Sequence, residues 1–345
     1  MTAQEAYRPS HRAILNAAAG AAAGAIARVA VGPLDVLKIR FQVQIEPICK
    51  GASTAALPGQ IASKYTGIGQ ALKTILKEEG IQGLWRGTVP GLLLTVPYTA
   101  VQFVTLQQCK HFAHQHGLEE RWGSSVSFLS GAVAGAAATI ASYPFDLLRT
   151  TLAAQGEPKV YHSMTQAAVA IAREQGIHRL YTGMGVTLLE IMPYAALQFG
   201  TYDLFTSAYS RARRKALVAQ GHTLEDGDGH SHFDHFLCGL AAGTIAKLGT
   251  HPLDVCKKRF QVAGLQRSIK YGARVPPSVV KSLPQCLRQI YTHEGVRGLY
   301  KGALPSIIKA APMAAITFTT YEFLIGYLMA HFADKGQHKQ SRPLH

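Results

Sequence analysis

The sequence predicts an all-α membrane protein with six transmembrane helices, in three pseudosymmetric repeats around a central cavity, and with short amphipathic helices on one side. Three features lead to this prediction: the composition, a motif that recurs three times, and six long apolar segments. Of the 345 residues, 48% are hydrophobic and 16% are charged, well below the roughly 25% typical of soluble proteins. This apolar content excludes a disordered chain. The five scattered cysteines, without a CxxC pair, exclude a disulfide scaffold.

The charge is strongly unbalanced, with 35 Lys and Arg against 20 Asp and Glu and a formal net charge of +15. Such a basic chain fits either a membrane protein or a nucleic-acid binder. A nucleic-acid binder would cluster its basic residues with exposed aromatic residues, whereas here the basic residues recur in phase with apolar segments. The polar stretch Met1–Arg12 has neither a secretory signal nor a transit-peptide pattern, so we expect internal segments to direct membrane insertion.

One motif recurs three times along the chain. PLDVLKIR begins at Pro33, PFDLLRTT at Pro144 and PLDVCKKR at Pro252. Each is followed by a second motif that ends in glycine: EEGIQGLWRG, EQGIHRLYTG and HEGVRGLYKG. Motifs in a fixed order, at a period of roughly a hundred residues, indicate internal repeats. We expect these repeats at residues 10–115, 121–210 and 232–330.

Each repeat holds two apolar segments long enough to cross about 30 Å of hydrocarbon. The first segments are Ala13–Gln42, Ser124–Ala153 and Phe233–Val262, and the second segments are Val89–Cys109, Met184–Ala208 and Ala303–Met329. Amphipathic stretches between them, such as Gly69–Lys77 and Met164–Arg173, are expected to lie at the membrane surface.

The first segments carry a polar stripe, whose members share one arc of each helix because helical positions three, four and seven apart lie on one face. The stripe comprises Arg28, Asp35, Lys38 and Gln42 in repeat one, Thr139, Asp146, Arg149 and Ala153 in repeat two, and Lys247, Asp254, Lys257 and Gln261 in repeat three. Ionisable residues within a membrane face the bundle interior or a water-filled cavity. Three such helices around an axis along the membrane normal, a known transporter design, would enclose a central pathway.

The stripe places three acids and three bases at two neighbouring levels. The acids are Asp35, Asp146 and Asp254, and the bases are Lys38, Arg149 and Lys257. Each acid can pair with a base on a neighbouring helix and so complete a ring. Such a ring is either a static set of ion pairs or a gate that closes one end of the pathway. The proline two residues before each acid favours the gate, because proline kinks a helix.

These motifs resemble the mitochondrial carrier family, and the resemblance runs from about Leu15 to Met329. Repeats one and three match the family pattern in full, whereas repeat two has Thr151, Gln175 and Thr182 in place of a base, an acid and a base. The resemblance implies a multi-pass carrier of the inner mitochondrial membrane, with the amphipathic helices on the matrix side and both termini toward the intermembrane space. Such carriers expose one central site to each side in turn. We expect a monomer, because one bundle with a central path needs no partner.

The resemblance also assigns roles to individual residues. Gln42 and Gln261 correspond to glutamine braces beneath the matrix gate, a role that Ala153 cannot fill. A second, cytoplasmic gate corresponds to Gln107, Lys110, Asp203 and Glu322. With two acids and one base, we expect this gate to be weak and the resting state to be open to the cytosol. Cardiolipin is expected as a structural lipid at helix starts, whose N–H groups bind anions, around Tyr65, Gly67, Trp85, Arg86, Gly87, Gly183, Tyr300, Lys301 and Gly302.

Cavity positions at which the repeats differ are the substrate-binding candidates, because a gate can be symmetric whereas a metabolite is not. These positions are Arg28, Leu94, Tyr98, Gln102, Thr139, Glu190, Ile191, Tyr194, Gln198, Lys247 and Lys309. The three cations suit a phosphate or a diphosphate. Glu190 is interpreted as an isolated anion that could meet a cationic heterocycle, and the two tyrosines could stack on a ring. Each charge could instead merely hydrate the cavity, and the tyrosines could pack against the bundle.

Within the family, the stretches IRFQVQ, QGEPKVY and MPYAALQF, which begin at Ile39, Gln155 and Met192, resemble thiamine pyrophosphate carriers. This resemblance implies transport of thiamine pyrophosphate into the matrix, in exchange for nucleotides or thiamine phosphates. Coenzyme A and adenine nucleotides remain alternatives, since both combine phosphates with an amino-heterocycle.

We expect no enzyme activity, no nucleic-acid partner, no cofactor apart from cardiolipin as a structural lipid, and no metal site. The His-rich stretch Gly221–His235 lacks clean ligand spacing and is interpreted as a solvated linker.

Overall fold

The computed structural model describes residues 3–45, 64–118, 124–219, 232–265 and 282–340, and all of its regular elements there are helices. Repeat one contains α1 (Ala3–Ala30), α2 (Gly32–Val43), α3 (Ile68–Glu79), α4 (Thr88–Leu93) and α5 (Thr95–Gln115). Repeat two contains α6 (Ser124–Ala154), α7 (Met164–Gln175) and α8 (Met184–Ala219). Repeat three contains α9 (His232–Val262), α10 (Leu283–Leu299), α11 (Ala303–Ile308) and α12 (Ala310–Gln340). The predicted all-α class is confirmed. Residues 221–231 of the His-rich stretch lie outside the described residues.

The long helices pack side by side in a closed circle. α5 packs on α6 and α8 packs on α9, so the last helix of each of these repeats contacts the first helix of the next. α12 packs on α1 and completes the circle. Phe103, Phe199 and Phe318 occupy equivalent positions and are 65%, 65% and 64% exposed. Matching exposure in three repeats indicates a pseudosymmetric bundle whose outer apolar side chains meet lipid.

Prolines bend or break several helices at equivalent places. α1 and α2 meet at a bend of 58°, next to Pro33. α4 gives way to α5 at Leu94, and α11 gives way to α12 at Lys309. The breaks at Leu94 and Lys309 each lie three residues before a proline, which lacks the N–H that would bond to the carbonyl four residues back. By contrast α6, α8 and α9 run through Pro144, Pro193 and Pro252. Lys309 is therefore placed at the junction of two helical segments.

The amphipathic helices predicted at Gly69–Lys77 and Met164–Arg173 are present as α3 and α7. α3 buries Ala71 and Ile75, and α7 buries Ala167 and Ile171. These side chains belong to two hydrophobic clusters that also include apolar residues next to the polar stripe, such as Leu37, Leu147 and Val255. The core thus lies at the end of the bundle that holds the predicted ring of charges.

Hydropathy alone identifies fewer spans than the repeats do. Among the described residues, Ile81–Gln115 and Val126–Ala154 are long and apolar enough to cross a membrane, and the bent pair Ala18–Ala30 with Gly32–Val43 is a third candidate. α8, α9 and α12 do not pass this test. α8 and α9 carry Glu190, Lys247 and Asp254, which line the interior cavity described below. Inward-facing charges lower the mean hydropathy of a helix without placing charge in lipid.

Candidate transport site

Three ion pairs connect the repeats in a ring, with the pairing predicted from the sequence. A guanidinium nitrogen of Arg149 lies 2.5 Å from Asp35. The Lys257 ammonium lies 2.9 Å from Asp146, and the Lys38 ammonium lies 2.7 Å from Asp254. Each acid therefore meets a base of another repeat, and we call these six residues the ring.

The two glutamines expected beneath the ring contact its acids. Gln42 donates from Nε2 to Asp254 at 3.2 Å, and Gln261 donates to Asp146 at 3.0 Å and to the Tyr143 hydroxyl at 3.2 Å. Both glutamine side chains are completely buried. Ala153 occupies the third equivalent position and has no side-chain polar group, so the Asp35–Arg149 pair lacks this support.

Each ring aspartate also meets a second base, in every case a lysine, which no threefold pattern provides. Lys309 lies 2.5 Å from Asp35, and Lys247 lies 2.8 Å from Asp254. Lys258 lies 3.4 Å from Asp146. Lys247 and Lys309 were predicted to bind substrate, whereas Lys258 was missed because its neighbour Lys257 already satisfied the motif. The available signal was a third consecutive base, in KKR, where repeat one has Lys-Ile-Arg and repeat two has Arg-Thr-Thr.

Glu190 is not the isolated anion expected from the sequence, and that part of the prediction is wrong. Its carboxylate accepts a hydrogen bond from the Lys247 ammonium at 3.3 Å. The Lys247 ammonium thereby bridges Glu190 of α8 and Asp254 of α9. Arg28 is also engaged, since its guanidinium donates to the Gly91 carbonyl at 2.6 Å.

A cavity of about 210 Å³ contains these charges. Its lining comprises the ring together with Ile39, Glu190, Lys247, Lys258 and Lys309, which makes six cations and four carboxylates. The excess of cations makes this cavity favourable for an anion. Arg28 lines a smaller neighbouring pocket with Asp35 and Arg149.

The remaining substrate candidates do not line this cavity, and each is half-buried elsewhere on the helices. They are Leu94, Tyr98, Gln102, Thr139, Ile191, Tyr194 and Gln198. Their predicted contacts with a substrate therefore need a ligand that extends beyond the charged cavity.

Among the residues that the structure describes, those of the predicted cytoplasmic gate form no comparable ring at the opposite end of the bundle. Gln107, Lys110, Asp203 and Glu322, the residues of the predicted cytoplasmic gate, are all exposed. Within the described ranges, neither acid nor Lys110 is part of an ion pair. In the described part of the chain, ion pairs thus close one end of the bundle, whereas the charged residues of the predicted gate at the other end form none.

Side chains at the expected lipid sites are largely engaged with the protein. The Tyr65 side chain is 2% exposed and accepts a hydrogen bond from Arg40, and burial raises the pKa of its hydroxyl. Arg86 pairs with Glu79 at 2.7 Å and also with Glu157. Lys301 pairs with Glu294 at 2.5 Å.

Among the aromatic residues at these sites, Trp85 donates to the Val29 carbonyl, and Tyr300 stacks on His251. A lipid phosphate would therefore depend on backbone N–H groups here. The helix-start glycines Gly87, Gly183 and Gly302 all have positive φ.

Buried arginines tie the helix ends of neighbouring repeats together. Arg40 pairs with Glu79 and donates to the carbonyls of Ala153 and Gln155, each at 3.1 Å. Arg259 pairs with Glu294 and donates to the carbonyls of Gln42 and Gln44, each at 3.2 Å. These two links join repeat one to repeat two and repeat three to repeat one.

The third link uses a residue that the motif does not predict. Repeat two has Thr151 where the other repeats have Arg40 and Arg259. Arg179, which is 7% exposed, donates to the Gln175 side chain at 2.9 Å and to the carbonyls of Phe260, Gln261 and Ala263. Burial lowers the pKa of this guanidinium, although two tyrosines oppose the shift. The signal in the sequence was an arginine at a position where the other repeats have Gly83 and Gly298.

Comparison with known proteins agrees with this architecture. The family model described as mitochondrial carrier protein matches residues 10–117, 122–213 and 228–332. The chain is 50% identical over 323 residues to mitochondrial thiamine diphosphate carrier 1 of Arabidopsis thaliana, covering 93% of this chain and 96% of that protein. It is 39% identical over 311 residues to the mitochondrial thiamine pyrophosphate carrier of Bos taurus, covering 90% and 92%. For the human protein of that name the identity is 38% over 307 residues, covering 89% and 90%. The chain belongs to the mitochondrial carrier family, whose members are multi-pass carriers of the inner mitochondrial membrane rather than enzymes.

Proposed function

We propose that this protein carries thiamine diphosphate across the inner mitochondrial membrane into the matrix, through one central site that opens to each side in turn. In exchange, a nucleotide or a thiamine phosphate would leave the matrix as the counter-substrate. The observation that carries the proposal is the placement of Lys247, Lys309 and Glu190, whose charges do not recur in all three repeats, in one cavity with an excess of cations. Relatives named as carriers of thiamine diphosphate or thiamine pyrophosphate, at 36–50% identity, support the choice of substrate.

The chemistry of thiamine diphosphate fits these three side chains. Its diphosphate is a multiply charged anion, for which Lys247 and Lys309 provide ammonium donors. Its thiazolium is a cation, and its aminopyrimidine offers an N–H donor, so either group can meet the Glu190 carboxylate. Both lysines are about a quarter exposed and therefore reachable from the cavity. Arg28, Thr139, Leu94, Ile191 and the half-buried tyrosines and glutamines are assigned to the rest of the ligand.

The ring is proposed to be the matrix gate, with Gln42 and Gln261 as its braces. Its three ion pairs, at 2.5–2.9 Å, join all three repeats. The exposure of the predicted cytoplasmic-gate residues at the other end supports a resting state open to the cytosol. Both termini are assigned to the intermembrane space. Cardiolipin is assigned to the backbone N–H groups at the three helix-start glycines, and one chain is the transport unit.

Uptake by liposomes tests the substrate. Liposomes that contain the reconstituted protein are loaded with unlabelled thiamine diphosphate, coenzyme A or ATP. The uptake of labelled thiamine diphosphate into them is then measured. We expect fastest exchange in liposomes loaded with thiamine diphosphate and competition by excess external thiamine diphosphate. Faster uptake of labelled coenzyme A or ATP than of labelled thiamine diphosphate would contradict the substrate and leave the carrier class intact.

A further inference from the structure

The second lysines of the ring differ in how firmly the protein holds them. Among the described residues, Lys309 donates to one acceptor, Asp35, and Lys247 donates to two, Asp254 and Glu190. Lys258 has three acceptors for its three N–H groups: Thr150 at 2.8 Å, Gln261 at 2.9 Å and Asp146 at 3.4 Å. An ammonium with all of its donors engaged is the least available to a ligand.

Exposure likewise separates Lys258 from the other two lysines. The Lys258 side chain is 8% exposed, against 25% for Lys247 and 23% for Lys309. Although Lys258 borders the cavity, an anion there would have to displace three protein acceptors to reach it. Lys258 is thus built into the wall of the site, whereas the other two lysines face the cavity.

Lys258 also completes a brace that is incomplete in repeat one. Gln261 accepts from Lys258 through Oε1 while its amide donates to Asp146, so both ends of this side chain are bonded. In repeat one the residue equivalent to Lys258 is Ile39. The corresponding brace there, Gln42, donates to Asp254, but its Oε1 is buried and has no hydrogen-bond partner within the described part of the chain. A buried acceptor left unsatisfied is unfavourable.

The three ion pairs of the ring therefore differ in the protein groups that support them. The Asp146–Lys257 pair has a complete glutamine brace and a buried second base. The Asp254–Lys38 pair has an incomplete brace and a cavity-facing second base, Lys247. The Asp35–Arg149 pair has no glutamine, and its second base is Lys309.

From this gradation we propose that Lys258 is a positioning residue of the gate, which fixes Asp146 against Lys257 and makes the link between repeats two and three the last of the three to open. This proposal rests on the proposed role of the ring as a gate. Lys258 holds Asp146 whether or not a ligand is present. An anionic substrate can draw Lys309 and Lys247 from their aspartates, but it has no comparable access to Lys258. The gate consequently loosens first at Asp35–Arg149, and Lys258 limits opening without substrate.

The first test measures opening without any substrate. In the full chain, Ala153→Cys places a thiol beneath the ring at a site that is 1% exposed. We expect its reaction with a polar thiol reagent to be slow, and to become about tenfold faster when Lys258→Gln is added, which corresponds to about 1.4 kcal/mol. Lys258→Arg, which keeps the charge, should restore the slow rate. Lys73→Gln, at an exposed lysine of α3, is the charge-matched control and should have no effect.

Asp146→Asn separates failure of this proposal from failure of the gate. Faster labelling in Asp146→Asn but not in Lys258→Gln overturns the role of Lys258 and keeps the gate. Unchanged labelling in both overturns the gate itself. If Lys258→Gln does not fold, Thr150→Val takes its place, because it removes one acceptor of Lys258. This variant should accelerate labelling less strongly than Lys258→Gln. An unchanged labelling rate in Thr150→Val would also overturn the role of Lys258.

The second test measures a ratio of uptake rates that would not change if Lys258 had only a structural role. Uptake of thiamine diphosphate is compared in liposomes with and without internal substrate. Lys258→Gln should raise the ratio of unloaded to loaded uptake while leaving the KM for external thiamine diphosphate nearly unchanged, because Lys258 does not bind substrate. A general loss of folded protein lowers both rates equally, and that outcome overturns the positioning role.

Discussion

The Lys309 ammonium lies 2.5 Å from a carboxylate oxygen of Asp35, although 274 residues separate them in the chain. One side chain of the proposed substrate site is therefore in direct contact with one acid of the ring. A diphosphate that binds Lys309 competes with Asp35 for the same ammonium. Binding energy at the cavity would thus act on Asp35–Arg149, the pair of the ring without a glutamine brace, and this contact would connect substrate binding to the proposed opening.

Removing the charge of Lys309 should impair binding strongly. We expect Lys309→Gln to raise the KM for thiamine diphosphate exchange by at least about tenfold, because a hydrogen bond to a charged group contributes about 1.5–3 kcal/mol. Exchange kinetics in liposomes measure this effect. Lys73→Gln, which removes an exposed lysine of α3, is the matched control. A KM within twofold of the parent value would remove Lys309 from the substrate site.

Glu190 should determine the preference for thiamine diphosphate over inorganic diphosphate rather than the overall affinity of the site. In Glu190→Gln the Lys247 ammonium loses one carboxylate partner and becomes more available to phosphate, while the cationic ring of the substrate loses its counter-charge. We therefore expect inorganic diphosphate to compete better against thiamine diphosphate uptake in this variant than in the parent. The ratio of the two inhibition constants, measured in the same liposomes, reports the change. Glu174→Gln, at an exposed acid of α7 outside the cavity, should leave the ratio unaltered.

Arg179 should matter for stability more than for substrate choice. Its guanidinium bonds to three backbone carbonyls at the end of α9, and Arg179→Gln would leave some of these buried acceptors unsatisfied. We expect a loss of about 3 kcal/mol, seen as a melting temperature lower by roughly 5 °C in detergent. Arg173→Gln, at an exposed arginine of α7, controls for charge and should change the melting temperature little. Equal melting temperatures for the two variants would show that the third link is dispensable.

The sequence predicted the features that obey the threefold pattern. The ring pairs follow from Asp35, Asp146 and Asp254 at equal offsets from their bases, and the structure has all three pairs. The fold class and the amphipathic helices follow equally from periodicity and repetition. Symmetry was sufficient for the ring, because the base that pairs with each acid stands at an equivalent position in another repeat.

Residues that depart from the pattern could not be placed in this way. Lys258 and Arg179 act through contacts with other repeats, and a distance between residues far apart in the chain has no local signal. Glu190 was expected to be an isolated anion, yet Lys247 reaches it from the neighbouring helix. Departures from symmetry indicated where to look, but only packing showed which residues meet.

Gly87 offers the sharpest test of how closely the repeats must approach when the ring is closed. Three helix-start glycines each lie near the carbonyl of a ring base, and a Cβ at Gly87 would be 2.5 Å from the Arg149 carbonyl oxygen. The corresponding distances are 3.4 Å from Gly183 to Lys257 and 2.9 Å from Gly302 to Lys38. A Cβ at Gly87 therefore meets backbone that cannot swing aside, so the closed ring is specifically disfavoured.

We expect Gly87→Ala to accelerate substrate-free labelling of Ala153→Cys, because the variant opposes closure at Asp35–Arg149, the least supported pair. Gly117→Ala separates this effect from backbone strain, since Gly117 also has a positive φ but no neighbour within 4 Å of its would-be Cβ. Both variants should lose roughly 1 kcal/mol or more to the unfavourable φ, yet only Gly87→Ala should change labelling. If Gly117→Ala accelerated labelling as much, strain alone would account for the result and the close contact at Arg149 would have no part in closing the ring.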